Sequence, residues 1–191
     1  MPYSKQHKEN TRKEILASAF KLFTAKGFDG VTVNELMEHC GLTRGAFYAH
    51  FESKAALYSE SIKFAAATSK LSEHKPDDVS DKAWLTYLLD GYLSVEHVNG
   101  NRPCPLAFLA TDIVTRDAEA RLAYARAYEG FNKGIMKYVN SYTTCDKDEM
   151  LSLTAMIIGA VAISRTIDNK NVVKKLLASC RQEAGLKLGG I

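Results

Sequence analysis

Apolar residues recur along this chain with the period of a helix. Within residues 11–26, Ile15, Leu16, Ala19, Leu22 and Phe23 fall at i, i+1, i+4, i+7 and i+8, one stripe of a first helix that Gly27 ends. Phe28, ahead of the Asp29-Gly30 turn, is placed to plug a small core. Thr32 followed three residues later by Glu35 predicts a capping box and a second helix from near Val33. Gly41 suits the left-handed residue that ends it, and Thr43 is an N-cap for a third helix to about His50.

Ser53 caps a fourth helix over about residues 54–71, with Leu57, Tyr58 and Ile62 on one side. Residues 72–79 are a polar, proline-bearing break. Beyond it, Trp84, Leu85, Leu88, Leu89 and Tyr92 predict a fifth helix over residues 80–95, and residues 96–103 a loop. Pro105 suits the first position of a sixth helix to about residue 115, and Asp117 caps a seventh over about 118–140. Asp146 with Glu149 opens a helix that is apolar nearly all round, and a last helix over about 169–188 carries Val172, Val173, Leu176, Leu177 and Cys180 on one stripe. A helix apolar on every side needs two partners. A second copy of the last two helices would supply one, predicting a homodimer through about residues 146–188; the alternative is that both close the monomer's own core.

Between Thr32 and Lys54 the residues sort into two faces. Val33, Leu36, Met37, Leu42, Phe47 and Phe51 point inward, while Thr43, Arg44, Ala46, Tyr48, Ala49 and His50 form a small or polar outer face. A helix entering a DNA major groove needs small residues for close approach and hydrogen-bonding groups to reach bases or phosphates. Spacing alone fits an ordinary αα-hairpin with a solvated face as well.

Three runs, taken together, go further: Thr11-Arg-Lys-Glu-Ile-Leu-Ala-Ser-Ala-Phe-Lys-Leu-Phe-Thr-Ala-Lys-Gly27, Val31-Thr-Val-Asn-Glu-Leu-Met37, and Gly41-Leu-Thr-Arg-Gly-Ala-Phe-Tyr-Ala-His-Phe-Glu-Ser-Lys54. Over this first quarter the chain resembles the N-terminal domain of TetR-family transcriptional repressors. The resemblance implies an all-α protein. A three-helix helix-turn-helix DNA-binding domain (1–54) and a connecting helix (about 54–71) precede a larger helical ligand-binding and dimerisation domain (72–191). It implies a repressor that binds palindromic double-stranded operator DNA as a dimer and is released by a small-molecule or reactive inducer. Thr43, Arg44, Gly45, Ala46 and Ala49 match base-facing positions, with Arg44 the candidate for bidentate contact with guanine. Tyr48, His50 and Lys54 match phosphate-facing ones; from its place in a helix's first turn, Lys54 would share a phosphate with the free N–H groups there. Without the resemblance, Lys54 reads as a solvated lysine.

At 191 residues and 46% hydrophobic content the chain has ample material for a packed core. Its net charge of +3 leaves no diffuse polybasic character, so an anionic partner must meet a local patch. One such patch is the start of the chain, where Lys5, Lys8, Arg12 and Lys13 stand against Glu9 alone, a basic arm ahead of the reading unit. Residues 1–20 hold no continuous apolar core of a signal peptide, and the most apolar run, residues 153–163, is too short to span a bilayer, so a cytoplasmic protein with no membrane partner is expected. Cys40, Cys104, Cys145 and Cys180 are scattered without metal-ligand or redox spacing. His39, His74 and His97 stand alone, and no catalytic constellation or phosphate loop emerges. No metal, cofactor or enzymatic activity is expected.

Trp84, Tyr87, Tyr92, Phe108, Tyr128 and Met136 are candidates to line an inducer cavity, although aromatics at this spacing also serve as plain core. Cys104 lies between Pro103 and Pro105, where the N-cap position, the helix dipole and Arg102 would all favour thiolate and make it the most reactive of the four cysteines. This segment resembles, more loosely, a TetR subgroup with a Cys-Pro at the start of this helix, some of whose members respond to electrophiles or oxidants; Pro103 stands where that subgroup usually has glycine. The alternative for Cys104 is a small buried hydrophobe. The rival function from another class is a thiol-dependent enzyme or redox protein using Cys104.

Overall fold

The computed structural model describes residues 5–69, 71, 73–100 and 103–191. Among these there are ten α-helices, one 3₁₀ turn at Ile113–Thr115 and no strand.

The first helix, α1 (Lys5–Lys26), begins six residues ahead of the expected start. Nothing between Lys5 and Lys26 breaks a helix, and the Gln6 amide bonds Asn10 one turn on at 3.0 Å. The basic arm is thus the first turns of α1. Gly27 ends the helix at φ +72°, its N–H returning to Phe23 O at 2.8 Å. α2 (Val33–His39) and α3 (Arg44–Tyr48) follow, then α4 (Lys54–Ala67), which stops short of the expected residue 71. Residues 70 and 72, at the end of that helix and the start of the break, lie outside the described set.

In the second half, α5 (Asp81–Tyr92) is capped by Ser80 as expected, but Ser94 caps a separate turn, α6 (Val95–Val98), where a single helix and a loop were predicted. The predicted helix over 105–115 is also divided. α7 (Pro105–Phe108) is one turn long, and the chain re-forms as the 3₁₀ turn. Between the two, Asp112 turns its carboxylate away from its own segment, toward Tyr58 and the Phe28 N–H. α8 (Ala118–Val139), α9 (Lys147–Ser164) and α10 (Lys170–Lys187) match expectation, with Asp117, Asp146 and Asn169 as caps and both halves of the capping box present at Asp146 and Glu149.

The buried residues form two cores. One joins α1–α4 to Leu106, Leu109, Ile113 and the first half of α8; the other joins α5, the second half of α8, α9 and α10. The limits of these cores therefore fall within α7 and α8, while the domain limits expected at 54 and 72 flank α4. Leu57, Tyr58 and Ile62 of α4 are fully buried, each side chain contributing about 1.5–3 kcal/mol of burial, so α4 is gripped from the reading unit and from the body at once.

α9 is not covered on every side within one chain. Met150, Leu153, Ile157, Ala160 and Val161 are buried, whereas Leu151 and Ile163 are 47% and 54% exposed. On α10, Val173, Leu177 and Ala184 are buried, but Val172, expected on the same stripe, is 45% exposed, and Leu186 is 65% exposed.

Candidate nucleic-acid interface

α2 and α3 are held by local chemistry. Thr32 Oγ1 accepts from Glu35 N at 3.1 Å. Glu35 bonds Lys26 on α1, which holds its carboxyl below the usual range, so this glutamate ties α2 to α1 as well as serving its cap. Gly41, at φ +68°, closes α2: its N–H reaches Glu38 O at 2.9 Å and Leu42 N reaches Met37 O at 2.8 Å, a double bond pattern that a left-handed residue permits. Beneath the pair, Leu36, Met37 and Phe47 are fully buried.

The outer face of α3 is free of such work. Thr43 caps the helix by backbone conformation alone, its hydroxyl making no cap bond. A Cβ added at Gly45 would find only the Thr43 hydroxyl, at 3.9 Å, so no internal contact requires glycine there. Thr43, Arg44, Gly45 and Ala49 are exposed, Ala46 is half-buried, and Tyr48 is 60% exposed with its ring edge-on to Phe47. α3 ends at Tyr48, with Ala49 as C-cap, so His50 lies just past the helix. His50 Nδ1 is buried without a partner among the described residues. Burial first, then the charges of Lys8 and Arg12, hold its pKa below the ordinary histidine value. Arg12 itself pairs with Glu60 of α4 and lies 4.7 Å from the Phe51 ring centroid, bracing the reading unit from behind.

Lys54 stands in the first turn of α4 as expected, but its side chain turns inward. Its ammonium donates to Phe28 O and Val31 O, each at 2.9 Å, and sits 4.1 Å from the Phe28 ring centroid. Two of its three N–H groups thus fasten the α1–α2 turn, leaving at most one for a phosphate.

That turn is also gripped by residues the sequence did not single out. Asp112 accepts from Tyr58 Oη at 2.6 Å and from Phe28 N at 3.2 Å. Arg116 holds both carboxylate oxygens of Asp29 and lies 4.7 Å from the Phe28 ring centroid. The Asp29 carboxyl is held low, chiefly by that bond, and the Arg116 pKa is raised by it. Arg165, the C-cap of α9, reaches the end of α1 at Thr24 O, 3.0 Å away, with its guanidinium 3.7 Å from the Phe108 ring centroid. The i, i+4 spacing of Asp112 and Arg116 was the only local signal, and it does not point to partners 54 to 87 residues away.

The residues expected around an inducer cavity do not converge on one place. Trp84 is buried and stacks on the half-exposed Tyr87, their centroids 5.2 Å apart. Tyr128 bonds Thr154 at 3.0 Å. Tyr92, Phe108 and Cys104 do come together: Tyr92 Oη lies 3.6 Å from Cys104 Sγ, and the His97 ring packs against both Tyr92 and Phe108. His97 is therefore a buried linker of two aromatic rings, its Nδ1 2.6 Å from Tyr92 O. Among the described residues, two open grooves mark the surface of α5 with α10 and of α8 with α9, and of the six expected lining residues only Met136 belongs to either of them.

Cys104 is the N-cap of α7 as expected, but its thiol is pushed up, not down. Burial outweighs the Tyr92 hydroxyl and the Leu106 and Ala107 N–H groups that favour thiolate. A one-turn helix also has few aligned peptide dipoles to offer. Arg102, the expected neighbouring charge, lies outside the described residues.

The profile described as "Bacterial regulatory proteins, tetR family" matches residues 15–60, the span from α1 into α4. The HTH-type transcriptional regulator YerO of Bacillus subtilis (strain 168) is 41% identical over 56 residues, 29% of this chain and 19% of that protein. AcrR of Shigella flexneri, also an HTH-type transcriptional regulator, is 40% identical over 57 residues, 30% of this chain and 26% of its own length. The chain thus spans about a quarter or less of these curated relatives. E. coli NemR, in its reduced form, superposes with a TM-score of 0.75 at 18% identity, covering 90% of this chain and 95% of that one, a likeness of fold. Residues 15–60 thus match the tetR family of bacterial regulatory proteins in sequence, and over the rest of the chain the likeness to NemR is one of fold.

Proposed function

We propose that this protein is a transcriptional repressor that binds palindromic double-stranded DNA as a homodimer through α3. The observation that carries the reading is the outer face of α3: among the described residues, a Thr43 hydroxyl with no cap bond, an exposed Arg44 with no ion-pair partner, a Gly45 with open space above it and an exposed Tyr48, on a pair of helices whose inner side buries Leu36, Met37 and Phe47 fully. Thr43, Arg44, Gly45, Ala46 and Ala49 face the bases; Tyr48, His50 and the remaining N–H of Lys54 face phosphate. Residues 1–54 act as the reader, α4 as the connection and residues 72–191 as the sensing and pairing part. Ile163, Val172 and Leu186, exposed on one chain, are covered in the dimer by a second copy of α9 and α10. An inducer that prefers a spacing of the two readers away from about one DNA turn, roughly 34–36 Å, releases the operator by population shift.

The test is selection of a duplex from a random pool, followed by anisotropy titration with the chosen site. A palindrome should emerge, and Arg44→Ala should lose preference at one base pair of each half-site while binding other sequences about as well as the parent. No enrichment, or enrichment unaffected by Arg44→Ala, would refute α3 as the reader.

A further inference from the structure

The larger of the two grooves lies between the second half of α8 and the first turn of α9, with a volume of about 460 Å³, within the range of small-molecule sites. Its lining divides by chemistry. Met136, Met150 and Leu151 make an apolar floor, and Lys133, Lys137, Lys147, Asn132 and Asn140 surround it. Lys133 and Lys137 are one turn apart on α8, and Lys147 faces them from the start of α9. Among the described residues none of these lysines has a carboxylate within ion-pair distance. Asp146, Asp148 and Glu149 share the α9 turn, yet none lines the groove, and Asp146 and Glu149 are engaged with each other's backbone N–H.

Asn132 is oriented from below. Thr154, fully buried, approaches its Oδ1 at 2.7 Å, and its Nδ2 donates to Tyr128 O at 3.0 Å, which fixes the amide with its donor nitrogen holding one further N–H. The charged and oriented groups around the floor are therefore donors. The other groove shows the contrast: it is smaller, about 220 Å³, and its cation Arg181 is already paired with Asp90 on the same lining.

We propose that the α8–α9 groove binds an amphipathic anion, a carboxylate or phosphate head on an apolar body of about eight carbons. The head is held among Lys133, Lys137 and Lys147 and the apolar body lies over Met136, Met150 and Leu151. Met136 was expected in an interior cavity; here it belongs to an outer site, and this inference does not depend on the DNA-binding reading.

Methionine methyl NMR of the full chain reads the site directly, with octanoate, octanol and inorganic phosphate as probes. Octanoate should shift the Met136 and Met150 methyls saturably and leave Met37, buried in the other core, in place. Octanol and phosphate, each with half of the chemistry, should bind at least about tenfold more weakly, and the triple variant Lys133→Gln, Lys137→Gln, Lys147→Gln should lose a similar factor for octanoate. These lysines are exposed, so the variant keeps the core, and an unchanged Met37 signal verifies it. Equal binding of octanol, no effect of the triple variant, or shifts spread over all methyls would overturn the proposal. So would Met136 and Met150 signals that move with protein concentration alone and ignore octanoate, since a second copy would then occupy the groove.

Discussion

Tyr58 of α4 donates its hydroxyl to Asp112 at 2.6 Å, joining two residues 54 positions apart at the point where the reading unit meets the body. The tyrosine side chain is fully buried, and the same carboxylate takes the Phe28 N–H, so one acid serves α4 and the α1–α2 turn together. Tyr58→Phe keeps the ring, which packs edge-on against Phe23 and Phe28, but removes a hydrogen bond from a half-buried carboxylate. The expected loss is about 1–3 kcal/mol in urea unfolding with an unchanged slope. A loss below a few tenths would show that water replaces the hydroxyl.

Burial, followed by Asp112, raises the Tyr58 pKa far above 10.0, and burial pushes Tyr124 up to about 12. Both rings are neutral in the fold, whereas in the unfolded chain they ionise near 10, so the unfolded state sheds more protons above that pH. Their contribution to stability is complete below pH 10 and is lost as pH rises beyond it. In an alkaline titration the phenolate absorbance of Tyr58 and Tyr124 should therefore appear only well above pH 10, together with the loss of helix signal. Release of all tyrosines in one step near pH 10, with the helices intact, would contradict this packing.

The elements were legible in the sequence because each is fixed locally: the period of Ile15, Leu16, Ala19, Leu22 and Phe23, the caps at Thr32, Ser53, Asp117 and Asp146, and the left-handed glycine at 41. So was the small, polar outer face of α3, which depends on spacing within five residues. What was not legible depends on partners distant in the chain. Lys54 shows the difference: its position in the first turn of α4 was predicted, but its direction is set by the carbonyls of Phe28 and Val31, which nothing near residue 54 reveals. Cys104 was left between two readings for the same reason: its cap position is local, while the burial that favours the small buried hydrophobe over the thiolate is not.

His50 supplies a pH dependence for DNA binding, given the proposed phosphate contact. In the free protein its pKa lies below 6.5, through burial and the charges of Lys8 and Arg12. A phosphate beside it favours the imidazolium, so binding takes up a proton and affinity should rise as pH falls from 8 to 6. Folding has the opposite sign: the unfolded chain binds this proton more readily, so stability falls over the same acid range. Anisotropy titrations at several pH values should show a slope that His50→Gln removes; an unchanged slope would take His50 out of the contact.

The raised Cys104 thiol predicts slow chemistry. Because thiolate is the reactive form, iodoacetamide should label Cys104 in the folded protein more slowly than in urea-unfolded chain, with a rate that climbs to a midpoint above 9.0. Mass spectrometry of the labelled peptides separates it from Cys40, Cys145 and Cys180. Fast labelling at neutral pH would restore the thiolate reading, and with it the proposal of an electrophile-responsive regulator.

Gly159 tests the proposed pairing through α9 and α10 with little confusion from folding. It lies in mid-helix, where glycine costs about 1 kcal/mol relative to alanine, and a Cβ built there meets nothing within 4 Å in the single chain. Gly159→Arg should therefore leave the monomer folded with its helix signal intact, its melting temperature lower only by the stabilisation that pairing gives the parent. If a second copy of α9 packs on this face, beside the exposed Ile163, the arginine brings an unpaired charge and a long side chain into the closest part of the contact. Sedimentation velocity at micromolar concentration should then show a dimer for the parent and a monomer for the variant, and the variant should bind a palindromic duplex only as weakly as one half-site allows. A parent that sediments as a monomer, or a variant that remains dimeric, would mean that the apolar residues on α9 and α10 serve another partner.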